Sequence, residues 1–234
     1  MVVAAILGLV VLAGSSSAPV LGRAVRSARA APVGSASPST SASAMPVVAI
    51  APKTSASVEP APPPVLLSIG PGTRVLLFGD SFVAAGLQQR LKKLVEERGG
   101  SLVADAWTSS TTSAWAKSDR LLNLLANTKP DVVFVSIGAN EVFLPAPESR
   151  ASSVRAIVQR LAGRPCAWIS PPLWKGETGI TAVTHANSPP CTFFDSSALS
   201  IERNPDNIHP SPKGGAAWAE AVWSATVTPV ASDK

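Results

Sequence analysis

From about residue 73 onward, short apolar runs alternate with longer stretches in which apolar residues recur every three or four positions. Val75-Leu76-Leu77-Phe78 is a run of four apolar residues closed by Gly79-Asp80-Ser81. It predicts a buried strand over 74–78 that turns at its end. In the stretch that follows, Val83, Leu87, Leu91, Leu94 and Val95 share one helical face, while Gln88, Arg90, Lys92, Lys93, Glu96 and Glu97 are mostly off it. That spacing predicts a helix over 82–98, stopped by Gly99-Gly100.

The alternation continues with a strand over 102–106, a Ser/Thr-rich loop, and a helix over 115–126 stopped by Lys129-Pro130-Asp131. A nearly all-apolar strand over 132–137 has the texture of a central parallel strand and leads into Gly138-Ala139-Asn140-Glu141. A helix over 149–161, a strand over 166–169 ended by Pro171-Pro172, and a long loop to Pro190 come next. A short strand over 191–194, an irregular stretch over 196–212 and a helix from Pro212 to about residue 223 complete the pattern. Trp218, Ala219, Val222 and Trp223 form the packing face of that last helix, and Trp168 sits in a core strand. Strand–helix order without hairpin signals predicts an α/β fold. The expected form is a three-layer α/β/α sandwich with a flavodoxin-like, mostly parallel sheet of five strands.

The first 64 residues have another texture. They hold no aromatic residue and only five formal charges: Arg23, Arg26, Arg29, Lys53 and Glu59. Residues 2–13 are an apolar run too short to span a bilayer comfortably, and Gly14-Ser15-Ser16-Ser17-Ala18 follows it, with Ser16 and Ala18 placed as in a signal cleavage site. No Lys or Arg precedes the run, so residues 1–18 read as an atypical signal peptide or an N-terminal anchor. Residues 19–64 are rich in Ala, Pro, Ser and Val and end in Pro60-Ala61-Pro62-Pro63-Pro64. That composition favours a disordered linker and not a packed core. The expectation is an extracytoplasmic protein, secreted, periplasmic or surface-anchored, whose folded domain covers residues 65–234.

Charge excludes one class. The net charge is +5, but residues 65–234 carry sixteen basic against fourteen acidic side chains, with no basic cluster interleaved with aromatics. A nucleic-acid partner is therefore not expected. Cys166 and Cys191 are the two cysteines; with His185 and His209 their spacing is irregular for a metal site. In an exported chain a single Cys166–Cys191 disulfide is the better reading.

Chemistry gathers at strand ends, where an open α/β sheet binds its ligands. Ser81, Ser110 and Asn140 lie in loops after strands, and Asp206-Asn207-Ile208-His209-Pro210 sets a carboxylate three residues before an imidazole. Such a carboxylate can hold one ring nitrogen and leave the other facing a nucleophile. Ser81 has a second reading as a helix N-cap, and the Asp206/His209 stretch as a capped surface turn.

Phe78-Gly79-Asp80-Ser81, Gly138-Ala139-Asn140 and Asp206-x-x-His209-Pro210, in this order and spacing, resemble the SGNH hydrolases, the GDSL esterase/lipase superfamily, over residues 73–226. The resemblance implies Ser81 as nucleophile, His209 as general base and Asp206 as its orienting acid. It also implies an oxyanion hole from the Ser81 N–H, the Asn140 amide and the N–H of a glycine after the second strand. This chain has no glycine there, and Ser110 is the best match, with Thr108 or Ser109 as alternatives. Glu141 stands where the family usually has Asp, which implies adjusted loop packing. Asp80 is expected to point away from the reaction and accept loop hydrogen bonds. Trp107, Trp115, Trp174 and His185 are candidates to line the substrate cleft.

The implied activity is hydrolysis of a carboxylic ester through an acyl-serine, without metal or cofactor, by a monomer that the N-terminal segment attaches to a membrane or wall. An acetyl group on a cell-wall or extracellular polysaccharide is the leading substrate, with other small esters in range. O-acyl transfer at the same site, or a non-catalytic carbohydrate-binding or scaffold domain of this fold, are the alternatives.

Overall fold

The computed structural model describes residues 65–229. The signal or anchor reading of residues 1–18 and the linker reading of residues 19–64 lie outside them. Five strands, β1 (Arg74–Gly79), β2 (Ser101–Ala106), β3 (Val132–Ser136), β4 (Cys166–Ile169) and β5 (Thr192–Phe194), form one sheet in the order β2-β1-β3-β4-β5. Every pairing is parallel, as the all-apolar strand texture predicts. The order reverses between β1 and β3, which makes the carboxyl ends of those two strands the place where a crevice opens.

Among the described residues six α-helices cover the sheet: α1 (Gln88–Glu97), α2 (Thr112–Lys117), α3 (Arg120–Thr128), α4 (Ala151–Arg160), α5 (Ile180–Asn187) and α6 (Pro212–Thr226). Alternation along β1 sends Val75 and Leu77 to one face, where they pack with Leu91, Leu94 and Val95 of α1 and Trp218 and Val222 of α6. Leu76 and Phe78 face the other layer, with Trp115, Leu121, Leu125, Val154, Ile157 and Trp168. Trp168 and Trp218 are fully buried, as their positions in a strand and on a helix face predict.

Three elements differ from expectation. The helix predicted over 82–98 is broken: the chain kinks at Ala85-Gly86 before α1, and Gly86 takes φ +99°. The break lets α6 approach closely, because a Cβ on Gly215 would fall 2.5 Å from the Ala85 carbonyl oxygen. The helix predicted over 115–126 is two helices. Thr111 caps α2 by accepting from the Ala114 N–H, and the chain turns at Ser118-Asp119 before α3. The stretch read as a long loop before Pro190 contains α5. Its Ile-Thr-Ala-Val-Thr start is poor in helix propensity, and burial of Ile180, Thr181 and Thr184 overrides that preference.

Cys166 and Cys191 form a disulfide with Cα atoms 4.6 Å apart, joining the start of β4 to the residue before β5. It closes a loop of sequence separation 25 around α5. The Cys166→Ala/Cys191→Ala double variant is expected to lose about 3 kcal/mol of stability by the loop-entropy relation, which in a domain of this size lowers Tm by roughly 10 °C. Thermal unfolding of the variant beside the wild type measures it; an unchanged Tm would refute the effect.

Candidate active site

Ser81 follows β1 and Asn140 follows β3, so neighbouring strands bring them together at the switch point. Asp80 fastens the two turns to each other. Its buried carboxylate accepts the Phe82 N–H through Oδ1 (3.0 Å) and the N–H groups of Gly138 (3.1 Å) and Ala139 (3.0 Å) through Oδ2. Burial pushes the Asp80 carboxyl up to about 6 against the pull of these three donors. Asp80 thus has the loop-bonding place expected of it.

The Ser81 hydroxyl lies 3.0 Å from His209 Nε2. No first-turn N–H bonds to it; Asp80 Oδ1 takes the Phe82 N–H instead. Capping and pairing with the imidazole are rival uses of one hydroxyl, and here the imidazole has it.

His209 and Asp206 belong to a tight hairpin. The Asn204 N–H donates to the His209 carbonyl (2.8 Å) and the Ser211 N–H to the Glu202 carbonyl (3.0 Å). Asn207 turns the tip at φ +57°, a conformation that Asn tolerates better than most residues. Asp206 Oδ1 accepts the N–H groups of Ile208 (2.9 Å) and His209 (3.0 Å), while Oδ2 lies 2.7 Å from His209 Nδ1. The His209 hydrogen bond, with help from the Ile208 N–H, holds the Asp206 carboxyl down to about 2. An ionised Asp206 therefore fixes the proton on Nδ1 and leaves Nε2 as the acceptor facing Ser81. Ser211 begins α6, with its hydroxyl accepting from the Gly214 N–H (3.0 Å). A Cβ on Gly214 would fall 1.9 Å from the Glu202 carbonyl oxygen, so glycine is required where the helix meets the hairpin.

The loop after β2 corrects the expectation for Ser110. Its N–H donates to the Trp107 carbonyl (3.1 Å), its hydroxyl accepts from Trp115 Nε1 (2.9 Å), and its carbonyl accepts from Asn140 Nδ2 (2.9 Å). Ser110 is buried with its N–H spent on the turn. Ser109 is the residue at φ +59°, the left-handed conformation that glycine favours, and its N–H has no acceptor among the described residues. Of the alternatives the sequence left open, Ser109 alone has the glycine-like conformation. The Ser81 N–H is likewise without an acceptor among the described residues, and Asn140 keeps a second amide N–H beyond the one given to Ser110.

Glu141 is buried. It accepts from the Thr112 N–H (2.8 Å), the Thr112 hydroxyl (3.0 Å) and Arg150 Nε. It joins the start of α2 to the Asn140 turn, the supporting packing expected of it.

Of the four cleft candidates, one lies at the site. Trp174 is half-buried, with its ring 5.5 Å from Phe82, which in turn is 5.3 Å from the His209 ring. Phe143, half exposed, meets Trp174 edge-on at 5.9 Å; the sequence reading missed it, although it stands three residues after Asn140. Trp115 is fully buried between Phe78 and Trp107 and lines no cleft. Trp107 packs on Trp115 and under the Arg120 guanidinium, which pairs with Asp105. His185 stacks on Phe193 of the edge strand β5, and no contact joins it to Ser81 or His209.

No family model matches the chain, and no curated protein matches it. Solved structures do. The acetylxylan esterase Axe2 from Geobacillus stearothermophilus, as a catalytic mutant, superposes with a TM-score of 0.55 at 18% identity, covering 72% of this chain and all of that one. TesA gives 0.52 at 21% identity, covering 65% and 97%. A lipase/acylhydrolase from Enterococcus faecalis gives 0.51 at 17% identity, covering 64% and 93%. At such identities the likeness is one of fold. The chain shares the three-layer α/β/α fold of the SGNH/GDSL-type esterases and lipases.

Proposed function

We propose that the protein is a serine esterase acting through an acyl-serine intermediate. The observation that carries this reading is the unbroken chain Ser81–His209–Asp206 at 3.0 and 2.7 Å. In this reading His209 Nε2 takes the Ser81 proton as Oγ attacks the ester carbonyl, and the Ser81–carbonyl bond forms as the C=O electrons move to oxygen. The N–H groups of Ser81 and Ser109 and the free amide N–H of Asn140 receive that oxyanion. His209 then protonates the leaving alcohol, and water repeats the sequence to release the acid.

The preferred substrate is an O-acetyl group on an extracellular or cell-wall polysaccharide. Support comes from the fold likeness to an acetylxylan esterase and from the partly exposed Trp174–Phe143 pair, which Phe82 separates from His209 and on which a sugar ring can stack. The disulfide and the reading of residues 1–18 as a leader or anchor support an extracytoplasmic site of action. None of the helices among the described residues is long and apolar enough to cross a membrane.

A fluorophosphonate ester is expected to label Ser81 stoichiometrically, read as one adduct mass on the peptide that contains it. Labelling at another residue, or none, rules out the acyl-serine mechanism. Acetylated xylan fragments are expected to be deacetylated in preference to esters of longer acids; the reverse preference would remove the acetylesterase assignment.

A further inference from the structure

We propose that Arg203 is a positioning residue that fixes the Asp206–His209 hairpin against the loop following β4 and so aims the imidazole at Ser81. The proposal rests on the hydrolytic reading above.

Arg203 is half-buried, and its hydrogen bonds go to main-chain carbonyls and to no carboxylate among the described residues. One terminal nitrogen donates to the Ile208 carbonyl, immediately before His209. The other donates to the carbonyls of Pro172 (3.1 Å) and Leu173 (2.9 Å). The guanidinium carbon also lies 5.9 Å from the centre of the Trp174 ring, so one planar group holds the hairpin tip, the β4 loop and the aromatic wall. Burial draws the Arg203 pKa below its ordinary value, and the Asp206 charge opposes that.

The hairpin needs such a tie. Its own bonds, Asn204 to His209 and Ser211 to Glu202, fix its shape and join its base to α6, and they leave its tip untied. Asp206, Asn207 and Ile208 at the tip are exposed. Among the described residues, Arg203 supplies the hydrogen bonds between this hairpin and the β4 loop. A guanidinium suits the task because its rigid fork reaches acceptors on two sides at once, whereas an ammonium is a single point donor. Small displacements of a proton-transfer group are expensive, and a shift of about 1 Å can lower a rate roughly a hundredfold.

Arg203→Met and Arg203→Lys in the full chain test the proposal. The readouts are kcat and KM on an aryl acetate, Tm, and the downfield proton resonance of His209 Nδ1–H, recorded in a His185→Gln background so that one histidine remains. Arg203→Met is expected to lower kcat roughly ten- to a hundredfold while KM stays within about threefold, with the resonance shifted or broadened. Arg203→Lys, which keeps charge and stem, is expected to fall between that variant and wild type, and it carries the same test if the Met variant does not fold. A kcat within twofold of wild type, or a resonance unchanged in position and width, overturns the assignment. If the wild type hydrolyses no aryl acetate, the hydrolytic reading falls, and the resonance alone still decides whether Arg203 holds His209.

Discussion

Ser81→Ala is expected to lower kcat for a short-chain aryl acetate by at least about a thousandfold while leaving Tm unchanged within about 1 °C. Both halves follow from where the hydroxyl is engaged. Its one hydrogen bond runs to His209, across 128 residues of sequence, and the first helical turn draws its side-chain acceptor from Asp80. Removing the oxygen deletes the proposed nucleophile and leaves every cap, sheet and core contact of the β1 turn in place. A structural serine would give the opposite pair of results: retained turnover and a lower Tm. Steady-state kinetics and thermal unfolding on the same preparation separate the two.

The largest expected effect on stability comes from the preceding turn. Gly79 lies at the end of β1, where an added Cβ would sit 1.8 Å from the Ser136 carbonyl oxygen and 2.6 Å from its carbon. Both are backbone atoms of β3, so no side-chain rotation relieves the clash, and the two strands must part. Gly79→Ala is therefore expected to destabilise by about 3 kcal/mol or more, roughly 10 °C in Tm for a domain of this size. Activity should fall with it, because Asp80 reaches the Gly138 and Ala139 N–H groups only while β1 and β3 stay close. Gly176→Ala is the matched control: nothing lies within 4 Å of its would-be Cβ and its φ is not positive. A Gly79→Ala protein as stable as that control would show that the close approach is not required.

Much of this domain is legible in its residues because burial in a parallel sheet leaves a local mark. Val75 to Phe78 and the run over 132–137 can be read as central strands from their apolar continuity, and the stripe through Leu91, Leu94 and Val95 is readable as a helix. Strand-end motifs are local in the same sense. Ser81, Asn140 and the Asp206/His209 pair can be picked out because each is a short pattern at a predicted turn, and the pair closes its own hydrogen bond within four residues. The cysteine pairing followed from there being two of them.

What the residues alone left open were quantities set by partners distant in the chain. Gly86 falls inside the helix predicted over 82–98, and the approach of α6 accounts for the break there; the stretch before Pro190 read as a loop, and α5 forms in it against α4. Trp115 stood at the predicted start of a helix beside a loop and could have lined a cleft; the Phe78 ring on one side and the Ser110 hydroxyl at its indole nitrogen place it in the core. Ser109 and Ser110 are the same residue type in adjacent positions, so sequence could not say which N–H is spent. The sequence by itself determined the strand–helix order and which side chains could carry chemistry, since both depend on neighbours a few residues away. Only the tertiary structure decided which backbone donors remain unspent and how Arg203 bonds the His209 hairpin to the loop after β4, since a hydrogen bond is counted only once both of its ends are in place.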